Sequence, residues 1–207
     1  QARARFAPNF LLELLSGLAC AQQKAYGQAL QHYAAAEVIA NATDPRRLNH
    51  VFYLQVGAAH ERKGDYQMAE KYFEKCLSLK PDYAEAQNYL GYMWAERGTN
   101  LVRARELLEQ AVKTEPNNAA YLDSLAWVLF KLNEPAAALD QILKAVEHLE
   151  KPDATVYDHL GDIQAALGRM DQAREAWRKA LEVEPSEVIR KKLESHSPAQ
   201  EGSETAP

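Results

Sequence analysis

The stretch 154–187, ATVYDHLGDIQAALGRMDQAREAWRKALEVEPSE, decides the fold. Leu160, Gln164 and Leu167 fall on one face of a first helix, and Ala173, Trp177, Ala180 and Leu181 on one face of a second. The small residues Gly161, Ala173 and Ala180 let the two backbones approach, while Trp177 fills the remaining space. Gly168 ends the first run, where a left-handed residue costs little for lack of a side chain. Pro185 stops the second. The stretch predicts a helical hairpin.

The same signature is copied upstream. About 35 residues earlier stand Leu122, Leu125, Ala126, Ala138, Ile142 and Ala145. Before them come Leu90, Gly91, Trp94, Gly98, Ala104, Leu108, Ala111 and Pro116, and earlier still Tyr53, Val56, Gly57, Gly64, Ala69, Phe73, Cys76 and Pro81. A fainter copy opens the chain with Gly17, Ala29, Tyr33 and Ala36. Where the third full copy needs the turn glycine it has Asn133, and Pro135 follows in the first turn of the next helix, where a proline is harmless.

This succession resembles the tetratricopeptide repeat (TPR), a 34-residue unit of two helices. The resemblance implies an all-α fold: a right-handed α-solenoid of antiparallel helix pairs, a TPR superhelix, with about five repeats and a C-terminal capping helix. The expected division is an N-terminal extension over 1–9, an array over 10–185 and a cap over 186–195. Repeats fall at about 10–43, 50–83, 84–118, 119–153 and 154–187, and a disordered tail follows over 196–207. Each joint pairs a proline with a capping side chain: Pro81 with Asp82, Pro116 with Asn117 and Asn118, Pro152 with Asp153, Pro185 with Ser186. About eleven helices and no strands are expected. Thr99-Asn100 inserts about one residue in the second full repeat, and 41–49 lengthens the first joint.

Composition narrows the function. The chain has 207 residues, 47% of them hydrophobic, enough for a sizeable folded body. No apolar run is long enough to span a membrane. A net charge of -5 argues against a nucleic-acid partner, which would want a basic face. Cys20 and Cys76 fall where the repeat wants small buried residues and read as inert core thiols. The opening QARARFAPNFLLELLSGLAC has the outline of a signal peptide, but Glu13 interrupts its apolar run and Gly17 keeps the repeat register. The chain does not begin with methionine, which reads as trimming or processing, so upstream repeats are an open alternative.

The sequence carries no phosphate-cradling glycine loop, no His-Glu-x-x-His, no Cys-x-x-Cys and no Gly-x-Ser-x-Gly. The six histidines are scattered, His60 at a repeat core position and His159 beside an acidic residue. No enzyme activity, cofactor or metal is expected. Asn41-Ala42-Thr43 fits the glycosylation triplet, a pattern that is common by chance.

In tetratricopeptide arrays the first helices line a concave groove, and the second, fifth, ninth and twelfth positions of each repeat point into it. Carried onto this chain, those positions are Glu85, Asn88, Tyr92 and Ala95; Ala120, Asp123, Trp127 and Phe130; and Thr155, Asp158, Asp162 and Ala165. Earlier copies offer Val51, Leu54, Ala58 and Glu61, and Leu11, Leu14, Leu18 and Ala21. The candidate partner-binding residues are Asn88, Tyr92, Asp123, Trp127, Phe130, Asp158 and Asp162. Arrays that grip a C-terminal carboxylate use lysine, arginine and asparagine there; only Asn88 fits, and the aspartates would repel a carboxylate. A peptide or protein segment carrying Lys or Arg beside an aromatic or aliphatic residue suits the surface better. The bland alternative is that the aromatic residues pack between repeats and the aspartates keep the chain soluble.

Asn88-Tyr-Leu-Gly-Tyr92, Asp123-Ser-Leu-Ala-Trp127 and His159-Leu-Gly-Asp162 resemble the C-terminal repeats of bacterial tetratricopeptide proteins, several of them envelope lipoproteins. Ala126 departs from that pattern, which usually has Gly, and no clear lipidation site is present. The resemblance implies a bacterial source and leaves cytoplasm and periplasm or envelope both open. The leading expectation is a non-catalytic scaffold that binds a partner segment in the groove. The alternatives are self-assembly through the apolar N-terminal repeat, where Leu11, Leu14 and Leu18 form an apolar stripe, and an accessory array of a larger secretion or proteolysis adaptor.

Overall fold

The computed structural model describes residues 9–196. Eleven α-helices cover most of them: α1 (Phe10–Gln22), α2 (Tyr26–Thr43), α3 (His50–Arg62), α4 (Tyr66–Leu79), α5 (Ala84–Arg97), α6 (Leu101–Thr114), α7 (Ala119–Lys131), α8 (Pro135–Glu147), α9 (Ala154–Ala166), α10 (Met170–Val183) and α11 (Glu187–Ser195). A single 3-10 turn, Pro45–Arg47, sits in the long joint before α3, and no strand occurs among the described residues. Residues 1–8 and 197–207, which hold most of the expected N-terminal extension and nearly all of the expected disordered tail, lie outside the described residues.

Two compact units divide the chain, one up to Thr114 and one from Glu115. In the first, α1 pairs with α2, α3 with α4 and α5 with α6; α2 then packs on α3, and α4 on α5. In the second, α7 pairs with α8 and α9 with α10, while α8 packs on α9 and α11 on α10.

Each pair is closed by the same backbone device. The amide five residues past a first-helix carbonyl bonds back to it: Ala25 to Cys20, Asp65 to His60, Thr99 to Trp94, Glu134 to Leu129 and Arg169 to Gln164, at 2.9–3.0 Å. This closure requires a left-handed residue just past the helix. Gly168 takes it at φ 73° and Asn133 at φ 64°, and in the opening copy Lys24 is held there at φ 59°.

Within each pair a small residue meets a large one. A Cβ on Gly161 would lie 2.3 Å from Trp177 Cδ1; on Gly17, 2.4 Å from Tyr33; on Gly57, 2.6 Å from Phe73; on Gly91, 2.7 Å from Leu108. In the third full copy the equivalents are Ala126 and Ile142, both fully buried. The interval between the two members is 16 residues except between Gly91 and Leu108, where it is 17, so the Thr99-Asn100 insertion is absorbed at the turn. Asn100 takes a positive φ of 48° to do so.

The caps match the expected residues in three of four joints. Asn118, Asp153 and Ser186 accept backbone amides at the starts of α7, α9 and α11. Asp82 does not cap α5: Tyr83 holds the N-cap position without a side-chain bond, and its hydroxyl donates instead to Glu85 at 2.7 Å. The physical reason is register, since α5 begins at Ala84, one residue too late for Asp82 to reach its first amides.

Candidate functional site

The residues expected to bind a partner fall on three first helices, α5 in the first unit and α7 and α9 in the second. Asn88 and Tyr92 stand one turn apart on α5, both half-buried. Asn88 Oδ1 is buried and accepts no hydrogen bond. Tyr92 lines a cavity of about 230 Å³ with Glu61, Tyr66, Met93, Glu96 and Arg97. The guanidinium of Arg97 lies 4.2 Å over the ring of Tyr66. Burial pushes the Glu61 carboxyl above its ordinary value, against the opposing pull of Arg62. Glu61 Oε2 is 3.3 Å from Arg62 Nε but out of line for a hydrogen bond, and it accepts none.

In the second unit the expected residues are drawn into internal contacts. Asp123 on α7 is 6% exposed and lies 2.8 Å from Nδ1 of the buried His159 on α9. The His159 ring stacks on Trp127 at 3.9 Å, and Trp127 stacks in turn on the half-buried Phe130 at 5.1 Å. Trp127 is 7% exposed and carries the ammonium of Lys131 4.4 Å from its ring centre.

Asp158 and Asp162, one turn apart on α9, share a single cation from α11. Lys192 Nζ is 2.6 Å from Asp158 Oδ1 and 2.7 Å from a carboxylate oxygen of Asp162. Asp162 also accepts the indole N–H of Trp177 at 3.1 Å. Asp158 is raised from the ordinary carboxyl value, because burial outweighs the pull of Lys192.

The expected residues therefore form three groups: Asn88 with Tyr92, Asp123 with Trp127 and Phe130, and Asp158 with Asp162. Asp123 is a buried partner of His159 rather than an open negative charge. Of the other positions carried over from the repeat, Leu54 and Ala95 are core residues, because α3 and α5 turn those positions into their packed faces. Two residues that complete these groups escape a reading by repeat position, His159 and Lys192. His159 had a local signal: Val156, His159 and Ile163 follow a buried helical stripe in which a polar residue needs a partner.

At the N-terminal end, Leu11 is 56% exposed and Leu15 53%. Leu14 and Leu18 line a mostly apolar cavity of about 430 Å³ with Phe10, Val51, Phe52 and Arg47. Among the described residues no cluster of His, Cys, Asp and Glu could hold a metal ion, and no helix is long and apolar enough to cross a membrane.

A tetratricopeptide-repeat model matches residues 51–90, and a tetratricopeptide repeat-like domain model matches 83–196, more than half of the sequence. The chain belongs to the tetratricopeptide-repeat family. It is 35% identical over 102 residues to the TPR repeat-containing protein PA4667 of Pseudomonas aeruginosa, a match over 49% of this chain and 17% of that protein. It is 24% identical over 131 residues to the type IV pilus assembly protein PilF of the same organism, over 62% of this chain and 51% of PilF. The chain thus spans from about a sixth to a half of these relatives' length. Among solved structures, MamA of Desulfovibrio magneticus aligns with a TM-score of 0.69 at 21% identity, covering 87% of this chain and 99% of that one. That likeness is one of fold. The fold is the α-solenoid of tetratricopeptide proteins, a family of protein-interaction scaffolds that is generally non-catalytic, and the chain is similar to bacterial members.

Proposed function

We propose that this chain is a non-catalytic interaction scaffold that holds a peptide or protein segment against its first helices, the segment carrying Lys or Arg beside an aromatic or aliphatic residue. The observation that carries this reading is the pair Asp158 and Asp162, whose carboxylates together already hold one primary ammonium at 2.6 and 2.7 Å. A half-buried acidic pair takes a cation well, which supports a basic side chain on the partner. Asn88 supports the reading with a buried acceptor that lacks a donor, and Tyr92 and Phe130 with half-exposed rings. The test is a peptide array probed with wild type, Tyr92→Ala and Phe130→Ala, each checked by circular dichroism. Binding that both variants leave unchanged rejects the reading.

A second reading is self-assembly through α1, supported by exposed Leu11 and Leu15 beside the apolar cavity of Leu14 and Leu18. Sedimentation that finds only monomer at high concentration removes it.

A further inference from the structure

Nine residues long, α11 is too short to be stable alone in water. It is held by its seat on α9 and α10, where Arg174 of α10 donates to the carbonyl of the C-cap His196 at 2.7 Å and side chains of α11 add apolar and ionic anchors. Ile189 is buried against Ala173, Trp177 and Ala180, and Leu193, one turn on, packs at the edge of the same cluster. Lys192, between them in sequence, reaches the Asp158 and Asp162 carboxylates.

The seat is incompletely satisfied. A cavity of about 300 Å³ remains beside Ile189, lined by Thr155, Asp158, Pro185 and Ser186 among others. One ammonium faces two carboxylates, so one negative charge is left over. Burial raises Asp158 even with Lys192 in place. A guanidinium, with five donors in a planar fork, matches two carboxylates better than an ammonium does.

We propose that α11 is a displaceable internal ligand, and that the partner for its seat is a helical segment with the same face: aliphatic, two intervening residues, Lys or Arg, then aliphatic, as in Ile189-x-x-Lys192-Leu193. This rests on the reading that α9 receives a partner's basic side chain, and it adds that the seat is closed until α11 leaves. The apparent affinity of the partner is then the intrinsic one reduced by the fraction of molecules in which α11 is undocked.

The test uses the whole 207-residue chain and, as probe, a fluorescein-labelled peptide of residues 186–196, SEVIRKKLESH. Lys192→Met in the protein removes the ionic anchor in cis and leaves the apolar ones. Fluorescence anisotropy should show the probe binding Lys192→Met at least about tenfold more tightly than wild type. Adding Asp158→Asn and Asp162→Asn should abolish that gain. Equal binding to wild type and Lys192→Met overturns the proposal, as does a gain that survives loss of the carboxylates.

Hydrogen exchange gives an independent readout. The α11 amides of unliganded wild type should open while α9 and α10 stay protected, and Lys192→Met should speed that opening. Exchange of α11 only together with α10 overturns the proposal. Tyr92→Ala and Phe130→Ala lie on other helices, so a failed peptide array rejects the broader scaffold reading without touching the self-peptide result.

Discussion

His159 donates its Nδ1–H to Asp123 across a gap of 36 positions, at 2.8 Å between buried side chains. An ionised carboxylate can only accept, so the bond fixes the tautomer of the ring. It also places the imidazole face against Trp127, 3.9 Å between ring centres. The bond thereby aligns α7 with α9, which touch directly in this unit.

Replacing His159 by Leu should be among the costliest single changes in the second unit. It leaves the Asp123 carboxylate buried without its partner and removes the ring that covers Trp127. Breaking a buried pair on one side costs about 3–5 kcal/mol. Urea midpoints of His159→Leu, Asp123→Leu and the double variant close the test. The double variant should recover much of the loss, because two apolar residues leave no stranded charge; a strictly additive double variant contradicts this account.

Two helical glycines have opposite expected outcomes. A Cβ on Gly161 would lie 2.3 Å from two atoms of the Trp177 indole, which is itself fully packed. Gly161→Ala should therefore cost about 1–3 kcal/mol, the usual range for overpacking. Gly27, exposed in the first turn of α2, has nothing within 4 Å of an added Cβ. Gly27→Ala should stabilise by up to about 1 kcal/mol from helix propensity alone. Thermal melts of the two variants should move in opposite directions.

What could be read in advance was what repeats. Gly161 with Trp177, and Gly57 with Phe73, recur at one interval, so local packing within a hairpin writes itself into the period. Caps were legible where the helix starts on time, as at Asn118 and Asp153, and misread at Asp82, where α5 starts one residue late. The candidate site was legible as positions but not as states. Lys192 finds its carboxylates 34 and 30 positions away, on a helix outside the period, so no spacing rule points to it. Trp127 and Asp123 vary between copies as a ligand-binding position would, yet both also meet an internal partner, His159, on a different helix.

Glu61 should make stability depend on pH in a way that one substitution isolates. Burial raises its carboxyl above the ordinary value, with Arg62 opposing. Between the ordinary and the raised value the native state holds more protons than the unfolded chain, so stability falls as pH rises through that window. Above the window the charged carboxylate bears its full desolvation cost. Glu61→Gln should therefore raise the urea midpoint at neutral pH, and the advantage over wild type should shrink as pH falls below the window. An advantage that is the same at acid and neutral pH would trace the effect to packing instead. Asp158 shifts in the same direction but cancels in the difference between the two proteins.

The two cysteines should react in separate stages. Both are free, Cys20 half-buried on α1 and Cys76 buried on α4. Burial pushes the Cys76 thiol up to about 11. At pH 8 only about one such thiol in a thousand is the reactive thiolate, and it is shielded as well. Cys20, whose Sγ lies 3.9 Å from Gln28 Oε1, is partly open to solvent. A thiol reagent added to the native protein should therefore titrate one cysteine, Cys20, and Cys20→Ser should remove that reaction. Cys76 should react only at the rate at which its unit opens, a rate that rises with urea. Two thiols reacting together in the native protein would mean that α4 separates from α3 without wider unfolding, against the close fit of Phe73 on Gly57 that holds this pair.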